Sequence, residues 1–198
     1  EELDARNATD LLDAVRGDID STTRIKKAPA GSTVVLDPTN GDVIAMASYP
    51  DYDPNEFVNG ISQRRYRELQ GDDPTTNPLI NRAIQGEYAP GSTFKLVTAY
   101  AAVTDGLITP DEVVNDGGTY RIEGCSADKC TRQNAGGKPH GPVDLAESLT
   151  VSSDVYYYRL GDQYWIQRDE YGDGIQEAAR KFGFAEKTGI ELPFERPG

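Results

Sequence analysis

At 198 residues, 37% hydrophobic and 27% charged, the chain is long enough to bury a core and too apolar for wholesale disorder. A formal net charge of −13 argues against nucleic acid as a partner, because phosphates would be repelled by most of the surface. The one basic run, Arg24-Ile25-Lys26-Lys27, reads as a solvated face. No stretch reaches the roughly 18 apolar residues of a transmembrane helix, and no signal peptide opens the chain at Glu1-Glu2-Leu3, which reads as an excised segment.

Ala8, Leu11, Leu12 and Val15 recur at helical spacing with Gly17 as a stop, which predicts a short amphipathic helix. Thr33-Val34-Val35-Leu36 and Val43-Ile44-Ala45-Met46-Ala47 flank Asp37-Pro38-Thr39-Asn40-Gly41-Asp42, whose Asn-Gly predicts an antiparallel hairpin. Both runs are apolar throughout, so the strands are expected in a sheet covered on both faces. A helix is predicted around Ser62–Leu69 and a buried one over Phe94–Val103. Residues 109–141 read as loop, with Gly-Gly twice and one short strand around Thr119–Ile122. Helices over Val143–Leu149 and Val155–Leu160 are separated by Thr150–Asp154, and a last helix covers Ile175–Phe182, ended by Gly183. With no repeat and no clean linker, one domain is the simplest division.

Cys125 and Cys130 bracket four residues, Ser126 to Lys129. Three readings stand: a local disulfide, a zinc pair completed by His140 and nearby carboxylates, or two free thiols. The spacing matches no common zinc pattern, and no metal site is expected. Nor does the chemistry below require a cofactor.

Ala89-Pro90-Gly91-Ser92-Thr93-Phe94-Lys95 carries Ser-x-x-Lys at the mouth of the buried helix. A serine hydroxyl is a weak nucleophile and needs a base to take its proton. On a helix, positions i and i+3 share a face, which brings the Lys95 amine within reach of Ser92. Phe94, Leu96, Val97, Tyr100 and Ala101 are expected to bury the pair, and burial favours the neutral form of a lysine. The first helical turn also places Ser92 at the positive end of the helix dipole. Ser126-Ala127-Asp128-Lys129 fits the same pattern but sits in a polar, glycine-flanked loop, so Ser92 and Lys95 are the candidate catalytic pair. Further on, Ser152-Ser153-Asp154 stands between two predicted helices. A serine there could relay a proton, and the Asp or a carbonyl could orient Lys95 and bind a substrate amide. The plainer reading is a Ser/Asp cap for the helix that begins at Val155.

Two long stretches, Asp37 to Ala47 and Asn81-Arg82-Ala83-Ile84-Gln85-Gly86-Glu87-Tyr88 on through Lys95, resemble the first hairpin and nucleophile segment of the penicillin-binding transpeptidases. Tyr49-Pro50-Asp51-Tyr52-Asp53-Pro54-Asn55 with Phe57-Val58-Asn59-Gly60-Ile61-Ser62 is most similar to the class B, elongation-type members, and the resemblance runs on to Thr188-Gly189-Ile190-Glu191-Leu192-Pro193. It implies an α+β fold, an antiparallel sheet of five strands flanked by helices, as in β-lactamases and transpeptidases. It implies a peptidoglycan D,D-transpeptidase in which Ser92 is acylated by a D-Ala-D-Ala stem peptide, and by penicillins. Lys95 is then the base, Ser152 the relay, and Asp154 the substrate-binding group at a position more often filled by Asn. Partners implied are stem peptides, β-lactams and a membrane-bound glycosyltransferase, at the extracytoplasmic face of the cell membrane with an N-terminal anchor outside this chain.

The family's third motif, Lys-Thr-Gly on a strand, is spelled by Lys187-Thr188-Gly189. Its position soon after the Gly183 helix stop, with Pro193 following, marks it as a decoy. The chain is therefore expected to be the N-terminal and central part of one transpeptidase domain. On that reading it ends before the real motif, without the remaining strands, and is inactive alone. A β-lactam sensor, a catalytically inactive module or a serine β-lactamase are the alternatives.

Overall fold

The Asp37–Asp42 segment turns tightly because its side chains bond their own backbone: Asp37 Oδ1 accepts from Thr39 N at 2.8 Å and Asn40 Oδ1 from Asp42 N at 2.9 Å. Gly41, at φ 83°, supplies the left-handed residue this turn needs. In this computed structural model, which describes residues 30–71, 77–126 and 130–198, the turn joins β1 (Gly31–Leu36) to β2 (Val43–Tyr49). The strands are antiparallel, paired from Gly31↔Tyr49 to Val35↔Ala45, with a register shift before Leu36. The predicted helix at Ala8–Val15 and the basic run lie outside the described residues.

The chain divides into two compact units, each described by itself. The first takes the chain through Gly86 together with Pro193–Arg196. It holds the β1–β2 hairpin, α1 (Gln63–Gln70) and the single turn α2 (Arg82–Gln85), which packs on both strands. Ser62 caps α1 by accepting from Arg65 N. The expectation of a sheet covered on both faces is not met among the described residues. Val35, Leu36 and Ile44 are 45%, 53% and 65% exposed. Apolar content states what a strand tolerates, whereas burial needs a second layer, and among the described residues the short α2 turn is what packs on both strands.

The second unit, Glu87–Leu192 with Pro197–Gly198, carries the candidate site. Its centre is α3 (Lys95–Thr104), preceded by a 3-10 turn over Gly91–Phe94. Val97, Ala101 and Ala102 are buried together with Tyr156, Leu160 and Ala178. Small residues on α3 let neighbouring helices approach closely. Leu96 and Tyr100, expected in this core, are 58% and 41% exposed because they project from the opposite face of α3.

The loop-like region resolves into two short antiparallel pairs: β3 (Val114–Asp116) with β6 (Gly141–Val143), and β4 (Thr119–Arg121) with β5 (Thr131–Gln133). Only β4 was legible, since three residues are too few for alternation to show. Gly118, at φ 87°, lies so close to Gly137 O that a Cβ would come within 2.5 Å of it. Cys125 and Cys130 form a disulfide, with Cα atoms 5.7 Å apart, beside the β4–β5 pair. Helices α4 (Leu145–Thr150), α5 (Asp154–Ile166), the short α6 (Arg168–Tyr171) and α7 (Gly174–Lys181) complete the unit. Val143 belongs to β6 rather than to α4. Helix α5 runs on past Leu160, the last residue predicted for it, and Asp162 in that extension accepts from Tyr120 Oη (2.7 Å) and Glu123 N (2.9 Å) of the β4 arm. The architecture is α+β with antiparallel pairing. Among the described residues, no helix is long and apolar enough to cross a membrane.

Candidate active site

Gly91, at φ 57°, turns the chain into the 3-10 helix that holds Ser92, and Thr93 Oγ1 donates back to Pro90 O at 2.6 Å. Tight turns of this kind are frequent at helix N-termini. Ser92 thus stands on the turn ahead of α3 rather than within its first turn, and it is exposed. Lys95, the first residue of α3, is 9% exposed. Its amine donates to Ser152 O at 2.8 Å, Ser152 Oγ at 3.0 Å and Asp154 Oδ1 at 2.6 Å. The Tyr157 ring lies on a further side, 5.6 Å from Nζ. Three acceptors match the three N–H bonds of an ammonium group. The structure therefore brings Lys95, Ser152 and Asp154 together across 59 residues of chain. Among the described residues, no side-chain hydrogen bond joins them to Ser92, whose backbone oxygen accepts from Lys95 N within the turn.

The cap and the contacts to Lys95 fall on different residues of Ser152-Ser153-Asp154. Ser153 is the N-cap of α5, its Oγ accepting from Tyr156 N at 3.0 Å. Ser152 and Asp154, on either side of it, face Lys95. Ser152 adopts φ 54°, a left-handed conformation that is uncommon for a residue with a Cβ and costs about 1–3 kcal/mol. Ser152 N donates to Leu149 O and Ser153 N to Ser148 O, which closes the turn from α4.

Sequence reasoning missed a second group behind this turn. Asp116, wholly buried at the end of β3, accepts from Ser153 Oγ (2.6 Å), Asn134 Nδ2 (2.8 Å) and Gly118 N (2.8 Å). His140 Nδ1 lies 2.8 Å from its Oδ2. The local signal is thin: Asp116 and Asn134 each stand ahead of a Gly-Gly, Asp116 directly and Asn134 with Ala135 between, and nothing else marks them. Cys125 and Cys130 are consumed by the disulfide, and His140 turns to Asp116.

Burial pushes the Asp116 carboxyl up, but the hydrogen bonds from Ser153, His140, Asn134 and Gly118 N outweigh it and hold the group down at about 2. Its folded value thus lies below the ordinary one of 3.8, so the stabilisation is complete above pH ~4 and is lost as pH falls through about 2. The shift amounts to about 2 kcal/mol. Urea unfolding at a series of pH values from about 5 down to 2 should show this loss in the parent and not in Asp116→Asn. Parallel pH profiles for the two proteins would refute it.

A serine on a helix mouth, followed three positions later by a lysine clasped by a Ser-x-Asp turn, is an arrangement of the serine acyl-transfer class. Residues 31–198 match the penicillin binding protein transpeptidase domain, and the chain belongs to that family. It is 38% identical to the peptidoglycan D,D-transpeptidase MrdA of Escherichia coli strain K12 over 167 residues, covering 84% of this chain and 25% of that protein. The chain thus spans about a quarter of the length of the curated relatives it matches. Among solved structures, it is similar to one on the coordination of polymerization and crosslinking by a peptidoglycan synthase complex, with TM-score 0.77 and 33% identity, covering 98% of this chain and 32% of that one. It is also similar to the imipenem acyl-enzyme of penicillin-binding protein A from Mycobacterium tuberculosis, with TM-score 0.64 and 32% identity, over 79% of this chain and 35% of that one.

Proposed function

We propose that this chain supplies the nucleophile and proton-transfer groups of a peptidoglycan D,D-transpeptidase, with residues 1–198 forming the N-terminal and central part of one transpeptidase domain. The clasp of Lys95 by Ser152 and Asp154 carries the reading. Ser92 Oγ attacks the carbonyl of the penultimate D-Ala of a stem peptide, forming an ester and breaking the bond to the last D-Ala. Lys95 takes the hydroxyl proton on the lone pair of its free amine, and the three acceptors around Nζ stabilise the ammonium that results. Ser152 Oγ, 3.0 Å from Nζ, passes a proton on to the leaving amine. An amine of a neighbouring strand then attacks the ester, forms the crosslinking amide and returns the proton to Ser92. Asp154 orients Lys95 and binds the substrate amide beside it.

Penicillins, whose strained amide mimics the scissile bond, acylate the same Ser92 on this reading; the relative solved as an imipenem acyl-enzyme supports it. The relative from a peptidoglycan synthase complex supports a membrane-bound glycosyltransferase as partner. The Cys125–Cys130 disulfide fits an oxidising compartment, outside the cytoplasmic membrane.

The test is intact mass and peptide mapping of the full-length protein after benzylpenicillin. A stable adduct on the tryptic peptide 83–95, together with release of D-Ala from a stem pentapeptide, is expected. An adduct lost within seconds would mean a β-lactamase. Stable acylation without release of D-Ala would mean a sensor, and no adduct an inactive module.

A further inference from the structure

The turn that clasps Lys95 does not hold itself. Two bonds anchor the start of α5 to chain that precedes it by many residues, and a third contact ties those two anchors together. Ser153 Oγ, having accepted from Tyr156 N, donates its own proton to Asp116 Oδ2 at 2.6 Å. Asn134 Oδ1 accepts from Val155 N at 2.9 Å, while its Nδ2 donates to both oxygens of Asp116 at 2.8 Å. The first free amides of the helix are therefore capped by two side chains, and both side chains are fixed by one carboxylate. Asp116, Asn134 and Ser153 are 0%, 2% and 0% exposed, so no water competes for these bonds.

The alternation along the turn links this hub to the site. Ser153 and Val155 face inward to Asp116 and Asn134, and Ser152 and Asp154 between and before them carry the oxygens on Lys95. Ser152 keeps a left-handed φ of 54°, which persists only where its surroundings over-determine it. The bonds from Ser153 and Val155 are what over-determine it on the C-terminal side.

We propose that Asp116 is a positioning residue for the Lys95 clasp: through Ser153 and Asn134 it sets the Ser152–Asp154 turn so that Lys95 meets its three acceptors. Its function in catalysis rests on the transpeptidase reading above, whereas the positioning itself does not. Asp116 makes no hydrogen bond to Lys95 and acts through Ser153 and Asn134.

The test uses full-length Asp116→Asn, and Ser153→Ala with Ser153→Thr as its conservative counterpart. Two properties are measured: the labelling rate of Lys95 by an amine-reactive ester, mapped by mass spectrometry, and acylation by benzylpenicillin, resolved into a binding constant and a limiting rate. A displacement on the ångström scale at a reacting group lowers the limiting rate by roughly 10- to 100-fold. That loss is expected in Asp116→Asn and Ser153→Ala, with the binding constant little changed and Lys95 labelled several-fold faster. Ser153→Thr, which keeps the hydroxyl, should restore both. A folded Asp116→Asn with parental rate and labelling overturns the proposal. Should Asp116→Asn fail to fold, the Ser153 pair decides by the same readouts. If the parent itself is not acylated at Ser92, the transpeptidase reading fails, and the labelling of Lys95 alone upholds or overturns the positioning.

Discussion

A Ser92→Ala protein should form no covalent adduct with benzylpenicillin, yet unfold at the same denaturant concentration as the parent. The two halves of this expectation come from different parts of the structure. Ser92 sits exposed on the 3-10 turn ahead of α3, and the turn is held by Thr93 Oγ1 on Pro90 O and by Lys95 N on backbone oxygens, not by the Ser92 hydroxyl. A substitution at such a position changes stability by no more than about 0.5 kcal/mol. Chemically, alanine has no atom with which to form the ester. Removing the serine of a nucleophile–base unit lowers turnover on the order of 10⁶-fold, so the adduct falls below detection. Intact mass and urea titration on the same preparation check both halves. A persistent adduct would place the nucleophile elsewhere, with Ser152 and Ser126 the first peptides to map. A large loss of stability would show that the Ser92 hydroxyl supports the turn.

What was legible in the sequence was what local chemistry decides. The Asp37–Asp42 turn sets the β1–β2 hairpin, because Gly41 accepts a left-handed backbone and the Asp37 and Asn40 side chains bond the turn's own amides. Ser92 and Lys95 were found because three positions on a helix mouth leave a mark in the sequence, and Ser152 and Asp154 because they frame a helix start. The family resemblance then joined these pieces in one family, which the match over residues 31–198 bears out. The hub was not legible. Asp116, Asn134 and Ser153 meet across 37 residues, at the end of β3, just past β5 and on a helix cap, and no periodicity reports such a meeting. The length of α5 was hidden for the same reason: past Leu160, the Asp162 carboxylate is satisfied by Tyr120 and Glu123 of the β4 arm, partners that no local pattern reports. The apolar strands misled in the opposite direction. Their composition is compatible with two covered faces, but composition holds no information on which residues do the covering.

Replacing Lys95 with Met should damage both properties that Ser92→Ala separates. Methionine matches the length of the lysine stem and fills its place beside Tyr157, so the change removes the cation with little loss of volume. Without a base at Nζ, acylation by benzylpenicillin should slow by 10²- to 10⁴-fold, the usual contribution of a positioned proton acceptor. Stability should fall too, because Ser152 O, Ser152 Oγ and Asp154 Oδ1 lose a common donor at 2.6–3.0 Å. Breaking a fully buried ion pair costs several kcal/mol, but the Asp154 side chain is 28% exposed and regains water. The loss should therefore be smaller, on the order of 1–3 kcal/mol. A double-mutant cycle with Asp154→Ala separates the causes. If the ion pair is the source, Asp154→Ala costs little once Lys95 is already Met, and the two single changes sum to more than the double. Strict additivity would mean that Lys95 stabilises this unit through its bonds to Ser152 and not through Asp154, whose carboxylate then serves the reaction without holding the lysine.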